Sequence, residues 1–317
     1  MDTAAKLLRM QGSLAKLELI TGPLSTDLRE SKGRTENLLA ALEPMSRMRN
    51  LCVMFAHSCP HMDRLRLPDL SGLTALQDLA WNVNALPPPG LEALAPSLMH
   101  LLVGAFTVER WPQVLAQLTG LRSLWLTAAG DYRMRPQDLG FLTALRGSLE
   151  SLVLFGTAVW PAGLPKALVA CTRLTVLQVA GSPYNMGDAF AAAAAPPRLL
   201  PTRGVSAGQH MAGLELLTGL RELSLTWTML RTLPPQLTAL TALTNLTLYG
   251  EGDLLISTAG ELWGLLERLP ALQRLGMNRA SVATVPLAER ASLVAAFPRV
   301  RLCGLVPGDS LDSDGEW

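Results

Sequence analysis

The sequence predicts a repeat solenoid of the α/β class, on three observations. The phrase Leu-x-x-Leu-x-Leu returns along the chain, often introduced by Leu-Thr-Gly-Leu or Leu-Thr-Ala-Leu, as at Leu118–Leu121 and Leu73–Leu76. Units opened at Leu14, Met48, Leu76, Leu98, Leu121, Leu149, Leu174, Leu220, Leu243, Leu272 and Val300 recur at intervals mostly in the twenties. Within each unit the apolar spacing changes from every second residue to every third or fourth. Such a period marks a stack of similar units, each packing on its neighbours, not a globule around one core.

Each unit reads as a strand followed by a return. In the unit opened at Leu220, Leu223 and Leu225 alternate with Glu222, Ser224 and Thr226, the period of a strand with one buried face. The tract LRTLPPQLTAL then spaces its leucines by three and four, which suits a short helix or 3₁₀ turn; Pro234 and Pro235 oppose a long helix. The longer units Leu121–Ser148 and Leu243–Ala271 have room for an α-helix, and GELWGLLERLPAL is the best candidate. The interval from Leu174 to Leu220 is 46 residues, twice 23, and is rich in Ala, Pro and Gly. It is read as a protruding loop holding a decayed unit near Leu199 and Leu200. The expected organisation is an N-terminal cap segment at 1–13, a solenoid of ten or eleven irregular repeats at 14–306 with an insertion at 181–213, and a disordered acidic tail at 307–317.

Composition excludes several classes. The 317 residues carry 27 Lys+Arg against 26 Asp+Glu, so the basic excess of a nucleic-acid binder is missing. The hydrophobic share is 49% and the mean hydropathy +0.26, yet no apolar run reaches the ~18 residues of a membrane span. The N-terminal residues lack the order of a secretory signal and already carry the repeat at Leu14, Leu17 and Leu19. Cys52, Cys59, Cys171 and Cys303 are scattered, which favours a reducing, cytoplasmic setting.

These phrases resemble leucine-rich repeat proteins over roughly residues 14–306, and the Leu220 unit, with Leu233-Pro234, is similar to the intracellular plant Ras-group and signalling members. The resemblance implies a horseshoe with a parallel β-sheet on the concave face and short helices, 3₁₀ turns and loops on the convex face. It also implies Asn eight residues after the first leucine, where the side chain bonds backbone between turns. Only Asn84 matches; Phe106 and Thr228 are among the residues standing there in other units. An irregular stack is expected.

Outward strand positions would form the concave surface. They are polar at the ends, with Lys16, Glu18, Asn50 and Asp78 on one side and Glu222, Ser224 and Asn245 on the other. Towards the middle they become apolar: Leu102, Trp125, Val153, Phe155 and Val176 fall on successive strands, and Trp227 and Tyr249 add aromatic edges. Aromatic anchors inside a polar rim have the character of a protein-binding hot spot. A one-residue slip would exchange the two faces, but Leu121, Leu124 and Leu126 claim the core and leave Trp125 outside. A covering of the patch by the 181–213 insertion is the alternative.

Catalytic and cofactor motifs are missing. There is no G-x-S-x-G, no P-loop and no H-E-x-x-H. His57-Ser-Cys59-Pro-His61 is the one cluster of ligand-type residues, and it lacks the second pair zinc needs. Cys171, in LVACTRL, reads as a small core residue. Glycines after strands, such as Gly104 and Gly156, read as positive-φ turns. The expectation is a non-enzymatic scaffold module, monomeric and without cofactor, that binds a protein partner rather than nucleic acid or membrane. The alternatives are the recognition or sensor portion of a ubiquitin-ligase or immune-receptor type protein, and a structural subunit of a large assembly such as a cilium or organelle ribosome.

Overall fold

The computed structural model describes residues 15–21, 36–55, 66–83, 86–128, 132–156, 163–181, 211–226, 232–249, 256, 258–277 and 285–303. The chain divides into two compact units, Met1–Met134 with Asp138–Leu149 and Tyr184–Pro196, and Arg135–Gln137 with Glu150–Pro183 and Pro197–Trp317. Both are open parallel-stranded α/β solenoids in which strands pair in chain order. The first holds β1 (Lys16–Thr21), β2 (Asn50–Phe55), β3 (Asp78–Asn82), β4 (His100–Phe106) and β5 (Ser123–Ala128). The second holds β6 (Ser151–Phe155), β7 (Val176–Ala180), β8 (Glu222–Thr226), β9 (Asn245–Tyr249), β10 (Arg274–Met277) and β11 (Arg301–Cys303).

The repeat phrase maps directly onto this geometry. Its first residue is buried in the unit that it opens, from Met48 at 0% exposure to Val300 at 5%. The introductory Leu-Thr-Gly-Leu is a turn: Leu121 N–H donates to Leu118 O at 3.0 Å, and Leu220 N–H to Leu217 O at 3.0 Å. Gly120 is needed there because a Cβ would lie 2.9 Å from Ala95 O. Successive coils are stitched where each strand begins, one carbonyl accepting from two N–H groups: Met99 O accepts from Arg122 and Ser123, and Arg221 O from Thr244 and Asn245.

The second and third aliphatic positions form two inward rows. In the first unit Leu51, Leu79, Leu101 and Leu124 are in register, and beside them Val53, Trp81, Val103 and Leu126. In the second unit Leu152, Leu177, Leu223, Leu246, Leu275 and Leu302 make one row, and Leu154, Val179, Leu225, Leu248 and Met277 the other. Each side chain in these rows is at most 5% exposed. Removing such a leucine from water contributes about 1.5–3 kcal/mol.

The return segments are short. A 3₁₀ turn at Pro235–Ala239 follows Pro234 as expected. The helix foreseen in GELWGLLERLPAL spans Ala259–Arg268 and buries Leu262, Leu265 and Leu266, a spacing of three and four. The Leu121 unit, given room for a helix by its length, instead divides its return between a 3₁₀ turn, Pro136–Leu139, and four α-helical residues, Leu142–Leu145. Pro136 restricts the backbone, and Asp138 is held by the Tyr132 hydroxyl at 2.5 Å.

Phe106, which stands at an Asn position of the pattern, is fully buried and packs against Tyr132 and Phe141, each with ring centroids 6.3 Å away. The strand irregularity between Val103 and Phe106 brings it inward. Gly104 is not a positive-φ turn glycine, unlike Gly156 with φ 78°. It lies in β4, where a Cβ would meet the Asn82 side chain at 2.3 Å. Gly104→Ala is therefore expected to cost about 1–3 kcal/mol, by displacement of Asn82, in urea unfolding of the intact chain. Across the Leu174–Leu220 interval β7 pairs directly with β8, Val176 opposite Glu222 and Ala180 opposite Thr226. Leu199 and Leu200 lie outside the described residues, as do Asn84 and Thr228 and the segments read as cap and tail.

Candidate partner-binding surface

In the first unit the outward residues of β1–β5 line a shallow groove of about 230 Å³. Parallel pairing sets their positions, because residues in register on neighbouring strands stand side by side about 4.8 Å apart. One row across the sheet is Lys16, Asn50, Asp78, His100 and Ser123. The next, two residues further along each strand, is Glu18, Cys52, Ala80, Leu102 and Trp125. Leu102 and Trp125 face each other and are half-buried, whereas Leu101, Val103, Leu124 and Leu126 beside them are sealed. Trp125 thus lies on the solvent side of its strand.

The polar row is internally connected. Lys16 Nζ lies 2.9 Å from Glu18 Oε1, and this bond raises the Lys16 pKa. Asn50 Nδ2 donates to Asp78 Oδ2. His100 Nε2 stands 3.9 Å from Asp78 Oδ1. Burial, then the Glu18 carboxylate, push the Cys52 thiol up, while Lys16 opposes them. Cys52 is accordingly a half-buried neutral thiol on the groove floor, not an activated nucleophile.

Asp78, His100 and Ser123 share one row, the residue types of a nucleophile triad. Their setting does not suit the chemistry. The backbone N–H groups of His100 and Ser123 donate to Gln77 O and Met99 O, at 2.9 and 3.0 Å, so neither is free to stabilise an oxyanion. The His100 and Asp78 side chains are 53% and 40% exposed, which leaves a well-solvated pair rather than a desolvated relay.

In the second unit Phe155 and Val176 are half-buried on the outward side, as are Gln178, Ser224 and Thr247. Val153, expected in the exposed patch, is only 7% exposed. Its short branched side chain stands between Phe155 on its own strand and Gln178 opposite it on β7. Tyr249 is in register with Thr226. Trp227 lies outside the described residues, as do His57, Cys59 and His61.

Among the described residues no group of three or more His, Cys, Asp or Glu is placed to hold a metal. Cys171 is fully buried; its Sγ–H donates to Ala167 O at 3.4 Å, and burial pushes the thiol up to about 11. Folding stability from that neutral thiol is complete below its unfolded pKa near 9.0 and is lost as pH rises from there to about 11. No described helix is long and apolar enough to cross a membrane.

The Asp78 cluster was missed as a candidate site. The strand period places its residues on the outward side, but their mutual contacts join units 28 and 22 residues apart, from Asn50 to Asp78 to His100.

No protein-family model matches the chain, and no curated protein does. Solved structures similar to it include an internalin of Listeria monocytogenes, at 16% identity and a TM-score of 0.44, covering 88% of this chain and 87% of that one. A leucine-rich repeat protein of Leptospira interrogans has 15% identity and a TM-score of 0.33 over 95% and 98% of the two chains. The TLR13–ssRNA13 complex has 15% identity and a TM-score of 0.45, over 94% of this chain and 44% of that one.

Proposed function

We propose that this leucine-rich repeat solenoid is a non-catalytic interaction module that holds a protein partner on the solvent side of its sheet. One observation carries the reading. Five strands of the first unit present a groove in which half-exposed Leu102 and Trp125 adjoin the polar residues Lys16, Glu18, Asn50, Asp78, His100 and Ser123. Apolar anchors beside a polar rim are the usual composition of a binding hot spot. The groove is built on strands rather than loops, so little conformational entropy is lost when a partner docks. Phe155 and Val176 offer a second apolar contact on the other unit, and Trp227 and Tyr249 belong to the same proposal. A cytoplasmic setting is part of this reading.

The test is affinity capture from cell extract on three immobilised proteins: the native chain, Trp125→Ala, and Leu287→Ala. Leu287 is 60% exposed on the helix Leu287–Ala296 and does not line the groove. Proteins held through the groove are expected to drop more than about tenfold with Trp125→Ala and to stay bound with Leu287→Ala. The melting temperature should stay within a few degrees of the native value. Capture lost only with Leu287→Ala would contradict the reading and favour packing of the helical side in an assembly. A collapse of thermal stability in Trp125→Ala would make Trp125 a structural residue.

A further inference from the structure

We infer that the groove of the first unit selects an extended polypeptide segment carrying a Lys or Arg side chain and, three or four residues away from it, a large apolar one. The inference rests on the proposed binding role and adds the chemistry of the partner.

Charge complementarity carries it. The ionisable side chains lining the groove are Lys16, Glu18, Cys52, Asp78 and His100. Lys16 and Glu18 neutralise each other at 2.9 Å. Cys52 is held neutral by burial and by Glu18. Among the described residues no Lys or Arg is paired with Asp78: Asn50, which donates to it, carries no charge, and His100, 3.9 Å away, is charged only when protonated. With a neutral imidazole the described lining of the groove therefore carries one net negative charge, centred on β3. Asn50 fixes the carboxylate through Oδ2, while Oδ1 stands 3.9 Å from His100 Nε2, and the Asp78 side chain stays 40% exposed to an incoming cation.

Distance supplies the spacing. Trp125 lies two strands beyond Asp78 and two residues further along. At 4.8 Å between strands and about 3.3 Å per residue, the two positions are roughly 12 Å apart. A peptide in extended or polyproline conformation covers that span in three to four residues. Ala80, which is small, and the apolar Leu102 lie between the two positions and suit the aliphatic stem of the cation.

The experiment is selection of a random twelve-residue peptide library displayed on phage against the intact chain, with Asp78→Asn and Trp125→Ala in parallel. Selected peptides are expected to share a Lys or Arg three or four positions from a Trp, Phe, Leu or Met, on one side of it. Anisotropy of the best labelled peptide should then show affinity falling about fivefold for Asp78→Asn, the worth of one half-exposed ion pair. Replacing the peptide's basic residue with Gln should cost the same on the native chain and nothing further on Asp78→Asn. Peptides that bind through Trp125 but carry no basic residue, or that bind Asp78→Asn equally well, would overturn the inference and leave the binding role standing. Absence of any peptide enriched over Trp125→Ala would count against both.

Discussion

Trp81→Ala is expected to destabilise the first unit by about 3–5 kcal/mol, the cost of emptying a fully buried large aromatic site. Trp81 is on β3 between Val53 and Val103, a position that other strands fill with Val, Leu or Met, and it is 0% exposed. One indole therefore fills the space beside two valines, whose short side chains would leave the void unfilled. The indole Nε1 has no hydrogen-bond partner among the described residues. Trp81→Phe removes that buried donor along with some volume, so the two changes oppose each other and the net cost should lie within about 1 kcal/mol. Urea denaturation of the native chain and both variants, followed by circular dichroism, measures the difference. An alanine variant as stable as the phenylalanine one would show that Trp81 is not the filler that its burial implies.

Leu223→Asp is expected to lose more than about 4 kcal/mol, enough to unfold the second unit at ambient temperature in a protein of ordinary marginal stability. Leu223 is 1% exposed and lies in register between Leu177 and Leu246. The substitution removes a leucine's worth of burial and leaves a carboxylate facing aliphatic neighbours. Because a repeat stack is stabilised by interfaces between adjacent coils, both interfaces of that coil fail together. The control is Ser224→Asp, one residue on and half-exposed on the opposite side of the strand. It should change stability by no more than about 0.5 kcal/mol. Amide hydrogen exchange across β7–β9 separates the outcomes. Equal damage from the two variants would mean that the inward and outward sides are not those described.

The rows of leucines were legible because they obey a local rule. Leu223 and Leu225, or Leu124 and Leu126, are two residues apart in a strand, and that period alone fixes their side. Trp125 followed as the residue between two committed neighbours. What escaped was set by contacts between coils. Val153 obeys the alternation that puts it outward, yet burial depends on the bulk of Phe155 and Gln178 beside it. Gly104 is required by a side chain on a different strand, Asn82, not by its own backbone. Phe106 occupies an Asn position of the pattern but is pulled inward by Tyr132 and Phe141. The pairing of Asp78 with Asn50 and His100 was hidden for the same reason, since sequence offsets show the row but not which members bond.

Direct hydrogen bonding of β7 to β8 has a consequence for how such a chain changes over time. The ladder registers which strand comes next and is indifferent to the number of residues spent between them. Loop-closure cost grows only logarithmically, so doubling an excursion of this kind costs about 0.6 kcal/mol. That junction is a tolerant station, where inserted sequence can lengthen, shorten or acquire new chemistry while the coils on either side keep their footing.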